Sequence, residues 1–288
     1  MCYYLSTKGV KMYGKFTLAF KITNWCNLNC AHCCANSSPR AQQRLMPLDK
    51  IEKYLHEFKE LPYNISEYIA IGGGEGLAPY LFGNLIYIPA VLSKINSVDG
   101  VSTIKTNAVW GNNTYIRNLI LQDLAMNAHK MQKLVTLDIS LDEFHNNIPA
   151  VANVFAEILS NEYITTAIRP TLVGFNTPAS ANALSQLKEE LKARHLIVEQ
   201  TENDDWAVYS ESGLGIRVVC DFENEIFDLG RAKKNNVATF HQGATGLHET
   251  NCIQIDNQDT VTLNNYYREK IKGRPLKTVM NSLIYRGK

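Results

Sequence analysis

Between about residues 15 and 200, two kinds of apolar pattern take turns. Short runs rich in Val, Ile, Leu, Thr and aromatic residues predict strands at Phe16 to Thr23, Tyr68 to Ile71, Val101 to Thr106, Leu134 to Ser140, Ile164 to Val173 and Leu196 to Gln200. Between them, Ile51, Tyr54, Leu55 and Phe58 recur at i, i+3, i+4 and i+7, as do Val151, Val154, Phe155 and Ile158. Each set lays one apolar stripe along a helix. Leu184, Leu187 and Leu191 make a further stripe, and Asp49 stands where an acid favours a helix start. Stripes of this kind read as helices packed on a sheet. The six strand–helix repeats predict an α/β chain with a parallel sheet.

After about residue 200 the alternation decays. Residues 197–230 hold nine Asp and Glu against only Arg217, and residues 264–288 hold seven Lys and Arg against only Glu269. Both blocks read as solvated faces. The basic stretch from Arg268 to Lys277 has a second reading, a clamp for an anionic substrate group. The organisation expected is one domain over 1–200 and an extension over 201–288 that closes it or holds substrate.

Composition narrows the function classes. With 288 residues, 45% apolar and 20% charged, the chain can build a full core, which excludes disorder, collagen-like repeats and a disulfide-stapled miniprotein. A formal charge of +1 is too small for dedicated nucleic-acid binding. The most apolar stretch, Tyr80 to Leu92, is broken by Gly83, Asn84 and Pro89 and falls short of a bilayer span. No signal sequence opens the chain, so a cytoplasmic protein is expected.

Seven cysteines, odd in number and unevenly spaced, do not suggest paired disulfides. Cys26, Cys30, Cys33 and Cys34 crowd into nine residues, while Cys2, Cys220 and Cys252 stand apart. The crowded run follows the first strand, at the carboxyl end of which α/β sheets place their chemistry. Three thiolates spaced C-x3-C-x2-C on one loop suit an iron–sulfur cluster. Structural zinc is an alternative, with His32 or Cys34 as fourth ligand, although adjacent Cys33 and Cys34 on one ion are strained and no second knuckle follows. A set of unligated buried thiols is another.

The loop from Cys26 to Cys33 resembles the CxxxCxxC signature of the radical S-adenosylmethionine (radical SAM) superfamily, and further segments follow in the same order. Gly72-Gly73-Gly74-Glu75 resembles the family's GGE segment, Thr106-Asn107-Ala108 its TNG, and Ser140-Leu141-Asp142 its S-x-D. The resemblance implies a partial (β/α)6 TIM-like barrel in which Cys26, Cys30 and Cys33 hold a [4Fe-4S] cluster. Its fourth iron would be chelated by the methionine amino and carboxylate groups of S-adenosylmethionine. Cofactor contacts are implied for His32, Gly73, Gly74, Glu75, Asn107, Ser140 and Asp142, and for a polar group between Arg169 and Asn176. The chemistry implied is reductive cleavage of S-adenosylmethionine to a 5'-deoxyadenosyl radical, fed by an electron donor such as flavodoxin or ferredoxin.

The chain departs from the family pattern at His32, where a larger aromatic is usual, at Gly76, where proline is frequent, and at Ala108, where glycine is usual. His145 follows the fourth-strand motif and is a candidate proton donor or substrate contact, or else a cap. His241 and His248, with no acid at ligand spacing, read as a loop.

Asp228 to Ala232, followed by Cys252 to Asp256, resembles the entry to the SPASM or twitch regions of peptide-modifying members. Cys220 and Cys252 are too few for a further cluster, which implies a degenerate, cluster-free form. The expected substrate is a ribosomally made peptide or an amino-acid-derived molecule. Only 25 residues precede Cys26, so no separate leader-binding domain is expected before the barrel. A small metabolite such as a nucleotide or sugar is the alternative substrate, and a non-catalytic iron–sulfur or zinc sensor is the alternative class.

Overall fold

The first apolar run becomes strand β1 (Lys15–Lys21) in the computed structural model, with Leu18 and Phe20 fully buried. The structure describes residues 15–286 apart from 34, 62–63, 99, 176, 202–204, 225–233, 236–249, 257, 264–266 and 272. The expectations for Cys2, Cys34, Asn176, residues 228–232, His241 and His248 lie outside the described residues.

Helix α1 (Leu48–Lys59) buries Ile51, Tyr54, Leu55 and Phe58, the predicted stripe, and carries Asp49 in its first turn. Past β2 (Asn64–Gly72), the apolar stretch folds as two helices, α2 (Ala78–Leu81) and α3 (Tyr87–Asn96), separated at Gly83. There follow β3 (Val101–Thr106), α4 (Thr114–Met131), β4 (Val135–Ser140), α5 (Ile148–Leu159), α6 (Glu162–Thr165), β5 (Ile168–Phe175) and α7 (Pro178–Lys192). The second stripe is buried along α5, and of the third Leu187 and Leu191 are buried along α7 with Leu184 half-buried against them. Thr177 caps α7, its hydroxyl accepting from Ser180 N at 3.1 Å.

Beyond residue 196 come β6 (Ile197–Gln200), β7 (Trp206–Tyr209), β8 (Gly215–Asn224), β9 (Thr250–Asp256), β10 (Thr260–Leu263), β11 (Tyr267–Lys270) and α8 (Leu276–Arg286). One sheet runs in the order β11-β10-β9-β1-β2-β3-β4-β5-β8-β7-β6. Strands β1 to β5 and β8 are parallel, in the manner of a partial (β/α)6 TIM-like barrel.

The sixth parallel place is held by β8 and not by the run Leu196 to Gln200. That run forms the antiparallel edge strand β6. An inner parallel strand is covered on both faces, whereas Ile197 is 52% exposed and is followed by polar Glu199 and Gln200. Residues 201–288 therefore build onto both flanks of the sheet, since β9 pairs in parallel with β1.

Helix α8 packs Leu276, Val279, Met280 and Leu283 into the core, and Leu276 N donates to Glu57 Oε2 at 2.8 Å. Arg274 pairs with Glu269 at 2.6 Å. These contacts fasten part of the basic stretch to the outer layer. No helix among the described residues is long and apolar enough to cross a membrane.

Register brings the chemistry together. Lys21 pairs with Gly72, Ile71 with Ile104, Thr106 with Ile139 and Ser140 with Val173. The carboxyl ends of β1 to β5 thus share one rim.

Candidate active site

The cysteine loop leaves β1 and is pinned at both ends. Ile22 N donates to Gly72 O at 3.0 Å, Met46 N to Ile22 O at 2.8 Å, and Cys26 N to Ser38 O at 3.3 Å. Within it, Cys33 N donates to Cys30 O at 3.3 Å and Leu28 N to Cys26 Sγ at 3.4 Å. Cys26, Cys30 and Cys33, all half-buried, line one cavity at the rim. It encloses about 460 Å³ of empty space, counting its open mouth. Burial, partly offset by the Leu28 N–H, pushes the Cys26 thiol up to about 12.

The glycine turn after β2 presses on this loop. Gly74 N donates to Thr23 O at 2.9 Å, Glu75 N to Trp25 O at 3.0 Å, and Gly76 N to Lys105 O at 3.1 Å. A Cβ on Gly74 would lie 1.8 Å from Trp25 O, and Gly73 holds a φ of +132°. The bare backbone at these positions lets turn and loop backbones touch. Ser37, buried, donates to Gly73 O at 3.0 Å from the other side.

Glu75 is fully buried and accepts from Thr106 Oγ1 at 2.6 Å, Asn107 N at 2.9 Å and Leu77 N at 3.0 Å. Burial raises its carboxyl, against the pull of those donors. A carboxylate has about four acceptor sites, so capacity for one donor from the cavity is left. Asn107 Nδ2 donates to Asn27 Oδ1 at 2.7 Å and reaches Cys26 Sγ at 3.6 Å, tying the end of β3 to the cysteine loop. Lys105, largely exposed, adds a cation at the cavity wall.

Ser140 ends β4 and lines the cavity, whereas Asp142 lies behind it. The buried Asp142 accepts from Phe144 N and from His145 Nδ1, both at 2.8 Å. Burial would raise its carboxyl, but the bond from His145 and the nearby charges of His145 and His32 hold it below the usual value. His145 lines the cavity and is hydrogen-bonded to Asp142; burial opposes its charge, yet that bond and its interaction with Cys30 hold its pKa at about 10. His32 packs its ring on Phe144 at 4.5 Å, Phe175 at 5.1 Å and His145 at 5.2 Å between centroids.

The sequence matches the radical SAM superfamily over residues 20–168, just over half of the chain. The chain belongs to the radical SAM superfamily. That family uses a [4Fe-4S] cluster and S-adenosylmethionine. Among solved structures, Streptococcus suis SuiB bound to S-adenosylmethionine is similar at 14% identity and a TM-score of 0.51, covering 94% of this chain and 66% of SuiB. SuiB bound to precursor peptide SuiA gives 14%, 0.51, 93% and 65% in the same terms. Histidine-tagged anSMEcpe with bound AdoMet gives 12%, 0.51, 93% and 77%. These likenesses show the fold, and the chain spans just under two thirds of the SuiB length. A search of curated proteins finds no match.

The donor set of this radical SAM chain fits the family's cluster. Three sulfur donors on one loop face a common cavity, as a cluster with three protein ligands requires. Only nitrogen and oxygen ligand atoms gather in the neighbouring group of His32, Asp142 and His145, all within 4.8 Å of one another. Ala108, standing where the family has glycine, takes the left-handed conformation at φ 54° that glycine adopts without cost. Its N–H donates to Thr106 Oγ1 at 3.0 Å.

His32, Gly73, Gly74, Glu75, Asn107, Ser140, His145 and the three cysteines are brought together. Asp142 is adjacent through His145. Arg169 is not, since it is the second residue of β5, exposed, and paired with Thr136 near the opposite end of β4. Sequence reasoning missed Ser37, Lys105, Phe144, Phe175 and Asn147. Asn147, buried at the start of α5, donates through Nδ2 to Ser140 O at 2.8 Å and to Asn107 O, joining the ends of β4 and β3. Asn just before an apolar stripe is a cap signal that would have marked it.

Proposed function

We propose that the protein is a radical SAM enzyme acting on a peptide or an amino-acid-derived substrate. The observation that carries this reading is the convergence of Cys26, Cys30 and Cys33 with the ends of β2, β3 and β4 on one cavity. When bound there, the cluster and S-adenosylmethionine supply a 5'-deoxyadenosyl radical that abstracts hydrogen from substrate. The chain's own part is to hold and position. Asn107 and the glycine turn fix the cysteine loop, and Glu75 keeps acceptor capacity for a cationic donor. His32 lines the cavity, and Phe144 and Phe175 pack against its ring and fix it there.

Residues 1–200 make the catalytic part in this reading, and residues 201–288 extend it to hold substrate. In support, Asn235 Nδ2 donates to Ala31 O of the cysteine loop at 3.0 Å. A peptide substrate is supported by the fold shared with SuiB, which has been crystallised with precursor peptide SuiA. The metabolite alternative draws no support from the described part of the basic stretch, where Arg274 is paired with Glu269. A flavodoxin or ferredoxin would deliver the electron.

The test is anaerobic reconstitution with iron and sulfide, then dithionite and S-adenosylmethionine. About four irons per chain and formation of 5'-deoxyadenosine are expected. One zinc per chain with no such product would reject the enzyme in favour of a structural or sensor role. With a short peptide encoded beside the gene, deuterium from the labelled peptide should appear in 5'-deoxyadenosine. Its absence, with cleavage intact, would reject the peptide as substrate.

A further inference from the structure

The sheet face opposite the apolar core is polar where it meets the cavity. Alternation puts Thr103 and Lys105 of β3 on that face, and register sets them beside Thr136 and Asp138 of β4, with Thr171 of β5 beyond Asp138. Their neighbours Ile104, Leu137 and Leu172 are fully buried in the core on the other face. Lys105 lines the cavity, so the polar face is continuous with it. Two groups on this face are left unfinished. Lys105 Nζ and Asp138 Oδ2 stand 3.7 Å apart, an ion pair outside hydrogen-bonding reach, with the lysine side chain 57% exposed and the aspartate 17%. One step deeper, Thr103 is 5% exposed, and its Oγ1 makes no hydrogen bond among the described residues. Buried hydroxyls are ordinarily paired, so an orphan on a polar face points to a ligand that completes it.

We propose that Lys105, Asp138 and Thr103 form a subsite for a primary carboxamide, the side chain of an Asn or Gln residue in the substrate peptide. This rests on the enzyme reading above and names the substrate class for it. The chemistry follows from the gap in the ion pair. A primary carboxamide carries an acceptor oxygen and a donor NH2 side by side on one carbon, so it accepts from Lys105 Nζ while it donates to Asp138 Oδ2. Its second N–H is left for Thr103 Oγ1. A trans peptide bond holds its C=O and N–H on opposite sides and does not span the pair in this way. The charges of Lys105 and Asp138 cancel, so a carboxylate or an ammonium group meets one attractive and one repulsive partner, whereas a neutral dipole satisfies both. Asp221, a step nearer the rim on β8, is exposed, and solvent screens its charge.

The test is ligand-observed NMR on the reconstituted full chain with S-adenosylmethionine present, using N-acetyl, N-methylamide derivatives of glutamine, glutamate, lysine and norleucine. All four probes carry the same backbone amides, so only the side chain differs. The glutamine probe should bind roughly tenfold or more tightly than the other three, because a site built for both an N–H and a C=O rejects groups that lack either. Lys105→Met should abolish that preference. Thr103→Val should lower it while melting no lower than wild type, since the hydroxyl it removes has no partner among the described residues. Equal binding of all four probes, or a preference for glutamate or lysine, overturns the inference. So does a Lys105→Met protein that binds S-adenosylmethionine more weakly but keeps the glutamine preference, because the lysine then serves the cofactor. If Lys105→Met does not fold, Asp138→Asn, which exchanges an acceptor oxygen for a donor, decides by the same criterion. A chain that takes up iron and forms 5'-deoxyadenosine yet shows no preference fails this inference alone, whereas one that takes up no iron overturns the enzyme reading and this inference together.

Discussion

Gly74→Ala isolates the contact on which the site's shape depends. The added Cβ would stand 1.8 Å from Trp25 O, 2.6 Å from Trp25 C and 3.2 Å from Asn24 C, all backbone atoms of the cysteine loop. No side chain can swing away. To reach 3.4 Å, where ordinary contact begins, the loop must retreat by about 1.6 Å. Such a shift breaks the bonds from Gly74 N to Thr23 O and from Glu75 N to Trp25 O, each contributing about 0.5–1.5 kcal/mol. Overpacking adds about 1–3 kcal/mol. Together these destabilise the fold by roughly 2–6 kcal/mol, a fall in Tm of about 5–15 °C for a chain of this size. Gly83→Ala is the control, because Gly83 has φ +74° but nothing within 4 Å of an added Cβ, leaving only left-handed strain of about 1–2 kcal/mol. Thermal unfolding of the apo chains, followed by circular dichroism in reductant, measures the difference, and iron per chain after reconstitution measures the displacement of the thiols. A Gly74→Ala protein that melts within about 2 °C of wild type and loads fully would refute the reasoning.

Glu75→Gln replaces one oxygen, either Oε1 with two inward donors or Oε2 with one, by an NH2 that cannot accept from them; thermal unfolding should show a loss of about 1–3 kcal/mol, and an unchanged Tm would contradict the role of those accepted bonds. Asn147→Ala strips Nδ2 from the carbonyls of Ser140 and Asn107, which should cost about 2–4 kcal/mol and weaken S-adenosylmethionine binding measured by calorimetry. Removing iron from the holoprotein with a chelator should lower its Tm, since only the folded loop presents Cys26, Cys30 and Cys33 together; equal melting of both forms would argue against a cluster at that loop.

Period carried most of what the sequence disclosed. The stripes on α1 and α5 are buried as read, and the motif residues at the ends of β2, β3 and β4 meet because parallel register levels those ends. Strand β8 was hidden because its buried Ile216 and Val218 alternate with Arg217 inside an acidic block that reads as solvated. Arg169 was placed at the wrong end of its strand because Ile164, apolar and buried, belongs to α6 and not to β5. The glycines were visible, but what approaches them was not. Gly74 meets the Trp25 carbonyl. Likewise, the packing of His32 with Phe144 and Phe175 joins three distant parts of the chain, and no local pattern encodes such a meeting.

The central claim is that three cysteines leave one iron open for a reactant. Its most direct test is the EPR spectrum of the dithionite-reduced cluster with and without S-adenosylmethionine. Binding to an open iron should shift the g-values in wild type, and the reduced-cluster signal should be absent from Cys30→Ala. A wild-type spectrum indifferent to S-adenosylmethionine at saturating concentration would contradict the account.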